Sequence, residues 1–101
     1  MAMVEVSVVP IGVPTTSLSR YVARALAVLQ GEEGIRYELT AMGTIIEGDL
    51  PRLMTLAQKM HEAVFDAGAM RVATTIKIDD RRDKASSMSS KVESVKREMR
   101  R

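Results

Sequence analysis

The apolar residues of this chain change period along its length, and that change restricts the folds open to it more than any other feature. Val4, Val6 and Val8 alternate with Glu5 and Ser7, the two-residue period of a strand with one apolar face. Pro10, Gly12 and Pro14 break the strand. Thr15, Thr16 and Ser17 offer N-caps, and Leu18, Val22, Ala25, Leu26 and Leu29 then recur at helical spacing. That spacing predicts a helix from about Leu18 to Gln30, ended by Gly31 and Gly34. Ile35, Tyr37, Leu39 and Ala41 alternate again, and a bend at Met42–Gly43 leads into the β-branched run Thr44–Glu47. Asp49 is a candidate N-cap, with Pro51 in the first turn of a second helix. Its stripe is Leu53, Leu56, Ala57, Met60 and Val64, closing near Gly68. Val72, Thr74, Ile76 and Ile78 form a fourth strand, and Asp79–Asp83 a charged turn. Met88, Val92, Val95 and Met99 make a thin stripe on a last, mostly polar helix.

The order strand, helix, strand, strand, helix, strand predicts an α+β, ferredoxin-like βαββαβ sandwich. Four antiparallel strands carry two helices on one face, and a C-terminal helix follows. A length of 101 residues fits one domain, 1–101, with residues 84–101 as a helical extension. Placing Val4, Val6, Val8, Val72, Ile76 and Ile78 under the helices leaves Glu5, Ser7, Val9, Ala73, Thr75 and Lys77 on an open face. That face is neither a second core nor fully polar, and it predicts association with another copy of the chain.

Composition excludes several chemistries. There is no Cys, hence no disulfide, thiolate nucleophile or cysteine-based zinc site, and a single His61 leaves no imidazole pair for a metal. His61 flanks the second helix stripe, the place of a half-exposed surface histidine. Ser17 and Ser19 have no histidine partner in view, so no nucleophile–base–orienter set is legible and the chain reads as a non-enzyme. No apolar run approaches the roughly 18 residues of a membrane span. The N-terminus lacks the pattern of a signal peptide, and the expected setting is the cytoplasm. Residues 1–76 carry two more acids than bases, and residues 77–101 four more bases than acids. The signs interleave along Asp79–Lys84, which favours local ion pairs over nucleic-acid binding.

Two stretches hold more polar groups than the fold requires. Hydroxyls crowd the first helix start at Thr15, Thr16, Ser17 and Ser19, where free backbone N–H groups favour polar ligand atoms. Thr40, Thr44 and Glu47 flank the Gly43 bend, and a glycine there admits close approach. Glu5 is a carboxylate in the first strand with no evident local partner. A polar small molecule near the first helix start is the reading these residues support.

Several segments are also familiar together and in order: Pro10–Gly12, Thr16–Ala23, Met42–Thr44, Glu47–Gly48, Met60–Glu62, Gly68–Ala69, Arg71–Val72, Lys77–Asp83 and Lys91–Val95. With them the chain resembles the thiamine-binding MTH1187/YkoF-like family of small proteins, from about Val4 to Val95. The resemblance implies a ferredoxin-like subunit and assembly into a dimer or homotetramer through the sheets. It also implies binding of thiamine, or its hydroxymethylpyrimidine moiety, without catalysis, by a carrier or sensor that needs no cofactor. For such a ligand, Glu5 or Glu47 would meet the cation or amino group. Ser17, Ser19, Thr40 and Thr44 would hydrogen-bond the pyrimidine, and Met42 would lie on a ring face. The competing expectation is a structural or regulatory interaction module with no small-molecule ligand.

Overall fold

The computed structural model describes residues 1–101. Its elements are β1 (Ala2–Pro10), α1 (Ser19–Ala27), β2 (Arg36–Leu39), β3 (Thr44–Gly48), α2 (Leu50–Asp66), β4 (Val72–Asp80) and α3 (Met88–Met99). The strands form one antiparallel sheet in the order β2-β3-β1-β4. This is the ferredoxin-like α+β arrangement that the alternating periods predict. No helix is long and apolar enough to cross a membrane.

Register sorts the side chains between two faces. Val4 stands between Ile46 of β3 and Ile78 of β4, and Val6 between Thr44 and Ile76. Directly paired residues share a face, so these rows lie under the helices. Glu5 with Lys77, Ser7 with Thr75 and Val9 with Ala73 occupy the open face, as expected. The core consists of Ala2, Val4, Val6 and Ile46 from the sheet, the whole α2 stripe of Leu53, Leu56, Ala57, Met60 and Val64, Tyr21, Ala25 and Leu29 from the α1 segment, and Ala67 and Ala69 after α2. The Arg20 guanidinium donates to the Ala67 carbonyl at 2.8 Å, which satisfies an orphan carbonyl at the end of α2 and fastens the two helices together.

Three element boundaries differ from the sequence expectation. The first helix starts at Ser19 and ends at Ala27, because its last turn tightens. Val28, Leu29 and Gln30 donate to carbonyls three residues back. Leu29 still reaches the core from this turn. The second strand is only Arg36–Leu39 and lies at the sheet edge. The fourth strand runs on through Asp79 and Asp80, so the charged turn begins at Arg81. Ile76 and Ile78 do lie on the helix side, yet they are 39% and 47% exposed, because β4 is an edge strand that α2 covers incompletely.

Replacing Ile46 with Ala should cost about 2–5 kcal/mol in urea denaturation, the range for truncating a fully buried aliphatic side chain. Ile78→Ala should cost distinctly less. Equal losses would mean that the edge strand is covered in solution.

Candidate functional site

The two stretches singled out by their hydroxyls meet in space. Between the start of α1 and the Thr40–Gly43 turn lies a cleft of about 250 Å³, walled by Val6, Val8, Leu18, Val22, Leu39 and Met60. Ala25, Thr40, Ala41, Met42, Gly43 and Thr44 line the rest of it, and Ser7 and Val9 of β1 border it where the strand passes to the open face. It continues outward into a shallower hollow of about 460 Å³, shared through Leu18, Val22, Leu39 and Thr40 and adding Thr16, Ser19, Ala23 and Leu26. No charged side chain lines either part.

The local structure explains which polar groups are free. The Thr40 N–H and hydroxyl both donate to the Gly43 carbonyl at 2.8 Å, and the same hydroxyl accepts from the Met42 and Gly43 amides at 3.3 and 3.2 Å. Thr40 therefore builds the turn. Gly43 admits a close approach, but of strand β1: a Cβ there would sit 3.1 Å from the Val6 carbonyl oxygen. Thr44 is buried, yet its hydroxyl bonds to no other group of the chain and no buried polar atom is left unpaired, so that hydroxyl opens on the cleft. The expected capping hydroxyls do not cap. Leu18 holds the N-cap position without a side-chain bond, and Thr15 Oγ1 instead accepts from the Ser17 amide at 3.1 Å. The first-turn amides of α1 are thus left without a side-chain cap beside Ser19.

Of the residues expected to touch a ligand, Ser19, Thr40, Met42 and Thr44 converge on the cleft, and Ser17 lies just outside its lining. Glu5 and Glu47 do not converge on it. Both point to the open face. Glu5 borders a small hollow with Met3, Ile45, Lys77 and Asp79. Glu47 is 5% exposed, and its carboxylate accepts from the Met88 amide at 2.8 Å, the first N–H of α3. A carboxylate at a helix N-terminus is favoured by the helix dipole, so Glu47 anchors α3. The apolar walls Val22, Leu39 and Met60 were not among the expected site residues. Leu39 carried a signal, since it lies directly across from Thr44 and shares its face. His61 is half-buried, with Nδ1 2.6 Å from Thr74 Oγ1 and its ring edge-on to Phe65.

A second hollow, of about 570 Å³, lies at the other end of the sheet between Asp49, Asp80, Arg81, Arg82 and Lys84. Its arginines are already engaged. Arg81 donates to Asp83 at 2.6 and 2.9 Å, and Arg82 to Asp80 at 2.8 and 3.1 Å. The Arg82 hydrogen bonds lower the Asp80 carboxyl, and those from Arg81 hold the Asp83 carboxyl down at about 2. The local ion pairs expected for this turn are present.

Comparison with known proteins places the chain. The family model described as "Thiamine-binding protein" matches residues 4–96. The UPF0045 protein YqgV of Bacillus subtilis is 48% identical, over 98% of each chain. A UPF0045 protein of Methanothermobacter thermautotrophicus is 50% identical, over 95% of this chain and 97% of that one. Among solved structures, the hypothetical protein MJ1052 of Methanocaldococcus jannaschii superposes with a TM-score of 0.84 at 33% identity, covering 93% and 94% of the two chains. A Thermotoga maritima protein described under thiamine biosynthesis or salvage shares the fold, with a TM-score of 0.76 at 22% identity and 93% and 97% coverage.

Two measurements check this geometry. An NMR titration should give the Asp83 carboxyl a midpoint near 2, against an ordinary value of 3.8. Because the folded value is depressed, the pair contributes fully above pH 3.8 and is lost as pH falls through about 2. Arg81→Ala should return the midpoint to the ordinary range. Glu47→Ala should speed amide exchange across Lys91–Met99 by about tenfold or more, the loss of one charge-assisted bond. Unchanged exchange would mean that α3 is held by something else.

Proposed function

The chain belongs to the thiamine-binding protein family, and from that premise we propose that it binds thiamine, or the hydroxymethylpyrimidine part of it, in the cleft beside α1 without acting on it chemically. One observation carries the reading: the cleft is apolar-walled and free of charge, yet the unpartnered Thr44 hydroxyl opens on it. An aminopyrimidine has flat apolar faces and a polar edge. Leu18, Val22, Leu39 and Met60 offer apolar contact, and Met42, largely exposed at the turn, offers a polarizable sulfur for the outer face. Thr44 and Ser19 offer hydroxyls, and the uncapped first turn of α1 offers amides. The cationic thiazolium finds no carboxylate in the cleft, since Glu5 and Glu47 lie across the sheet. It is therefore the pyrimidine that enters and the thiazolium that faces solvent. The absence of any titratable side chain from the lining supports binding over catalysis.

Self-association through the open sheet face, into a dimer or tetramer, belongs to the same reading. Val9 and Ile45 there alternate with charged and hydroxyl groups. A cytoplasmic carrier or sensor fits a chain without cysteine. The competing reading, an interaction module without a ligand, draws on the exposed apolar stripe of α3.

Thiamine at 100 times its dissociation constant should stabilise the native state by about 2.7 kcal/mol, which raises the melting temperature by several degrees. Thr44→Val should weaken thiamine about fivefold, the effect of one buried neutral hydrogen bond, and Thr75→Val on the open face should leave it unchanged. No thermal shift at millimolar thiamine would favour the interaction module. A shift untouched by Thr44→Val and Ser19→Ala would move the site out of this cleft.

A further inference from the structure

The last helix is the least explained part of the chain. Its 12 residues are few for a helix standing alone in water. None is buried, and Val92, Val95 and Met99 are 52%, 60% and 79% exposed. It is tied to the body only at its start, by the Met88 amide on Glu47 and by Lys91 on Asp79 at 2.8 Å. Met88, Val92, Val95 and Met99 follow i, i+4, i+7, i+11. That is two apolar positions per heptad, the narrow seam of a paired coiled-coil helix rather than the wider stripe of a helix lying on a globular core. In heptad terms Val92 and Met99 take a, and Met88 and Val95 take d. Lys91 and Glu98 take g, and Ser89 and Lys96 take e.

The charges fix how a second copy of the chain would cover the seam. We propose that α3 pairs antiparallel with α3 of a second copy of this chain. In a parallel pair each g residue meets the e residue of the following heptad, which sets Lys91 against the partner's Lys96, and the reciprocal contact repeats the clash. In the antiparallel pair Val92 lies opposite the partner's Val95, and Met88 opposite the partner's Met99. Position g then meets g, and Lys91 meets the partner's Glu98, with the two-fold axis making the same pair again. Lys91 has three donors and serves its own Asp79 as well. Ser90, Ser94 and Arg97 lie on the opposite side of the helix, where Arg97 donates to Ser94 at 3.2 Å. Two heptads are too short to hold two chains by themselves. The pairing therefore rests on self-association through the open face, at whose margin α3 begins, and that contact supplies the effective concentration. It does not rest on thiamine binding.

The chain has no cysteine, so engineered cross-linking has no background. Val92→Cys and Val95→Cys chains, one carrying an affinity tag, are co-expressed and oxidised. The expected product is the mixed disulfide dimer, at twice the 11.1 kDa of one chain plus the tag, formed about tenfold faster than either self-linked dimer. Adding Glu98→Lys to both chains should slow mixed linking severalfold, whereas Lys96→Glu should leave it unchanged. Equal self-linking, or acceleration by Lys96→Glu, would mean a parallel pair and overturn the proposal. So would Glu98→Lys leaving the rate intact, or absence of any link in chains whose circular dichroism keeps the native helix content. Thiamine affinity, measured on the same variants, reads the ligand separately.

Discussion

The contact between α2 and the central strands organises the rest of this molecule. Leu53, Ala57, Met60 and Val64 of that helix are buried together with Val4, Val6 and Ile46 in one cluster. β1 and β3 are the two inner strands of the sheet, so this contact fixes both the helix-bearing face and the register of the strands on either side. Everything farther out is attached to it. Tyr21 and Ala25 join α1 to the cluster, and Arg20 ties that helix to the end of α2. The cleft is the place where the covering thins: α1 begins only at Ser19, and Met60 of the core becomes its floor.

Much of this was legible because periodicity reports burial directly. All five stripe residues expected of α2 are buried, and all six residues expected on the open face of β1 and β4 are there. The same parity also held information that a search for suggestive polar residues passes over. Val4 and Val6 point inward, so Glu5 cannot. Ile46 points inward, so Thr44 does too and Glu47 does not. A site drawn from chemistry alone joined Glu5, Thr44 and Glu47, and strand alternation separates them. What the sequence left illegible depends on hydrogen-bond competition. Thr40 gives its hydroxyl to its own turn and the Thr15 hydroxyl serves the Ser17 amide, choices made by local backbone geometry that no spacing rule encodes. The exposure of Ile76 and Ile78 likewise follows from strand order and the placement of α2, not from the alternation of β4 itself.

Glu47 shows how a buried carboxylate is accommodated without a cation. It lies directly across from Met3 and Arg36 in the sheet, yet the bond it makes is to the backbone amide that opens α3. A buried charge needs compensation, and here a helix N-terminus supplies it, reinforced by the reciprocal Ser87–Ser90 capping box. The helix gains a fixed origin and the sheet a compensated carboxylate, so the direction in which the C-terminal segment leaves the body is set by Glu47 on β3 together with the Lys91–Asp79 ion pair to β4.

The nine residues of β4 pair on one side only, while the opposite margin of the sheet is closed by the four residues of β2. The two margins are therefore unequal as templates. The β2 side is too short to recruit another strand. The β4 side offers a long run of unpaired backbone, flanked by half-covered Ile76 and Ile78, which is the kind of edge that seeds uncontrolled strand addition. The residues placed along it are also the chain's protection. Lys77, Asp79 and Asp80 put both signs of charge on the far half of the strand, and any strand added there would have to desolvate them. The margin that bounds this small sheet on its longer side is thus guarded by charges of both signs, so the strand that is most open to pairing is also the one whose far half resists it.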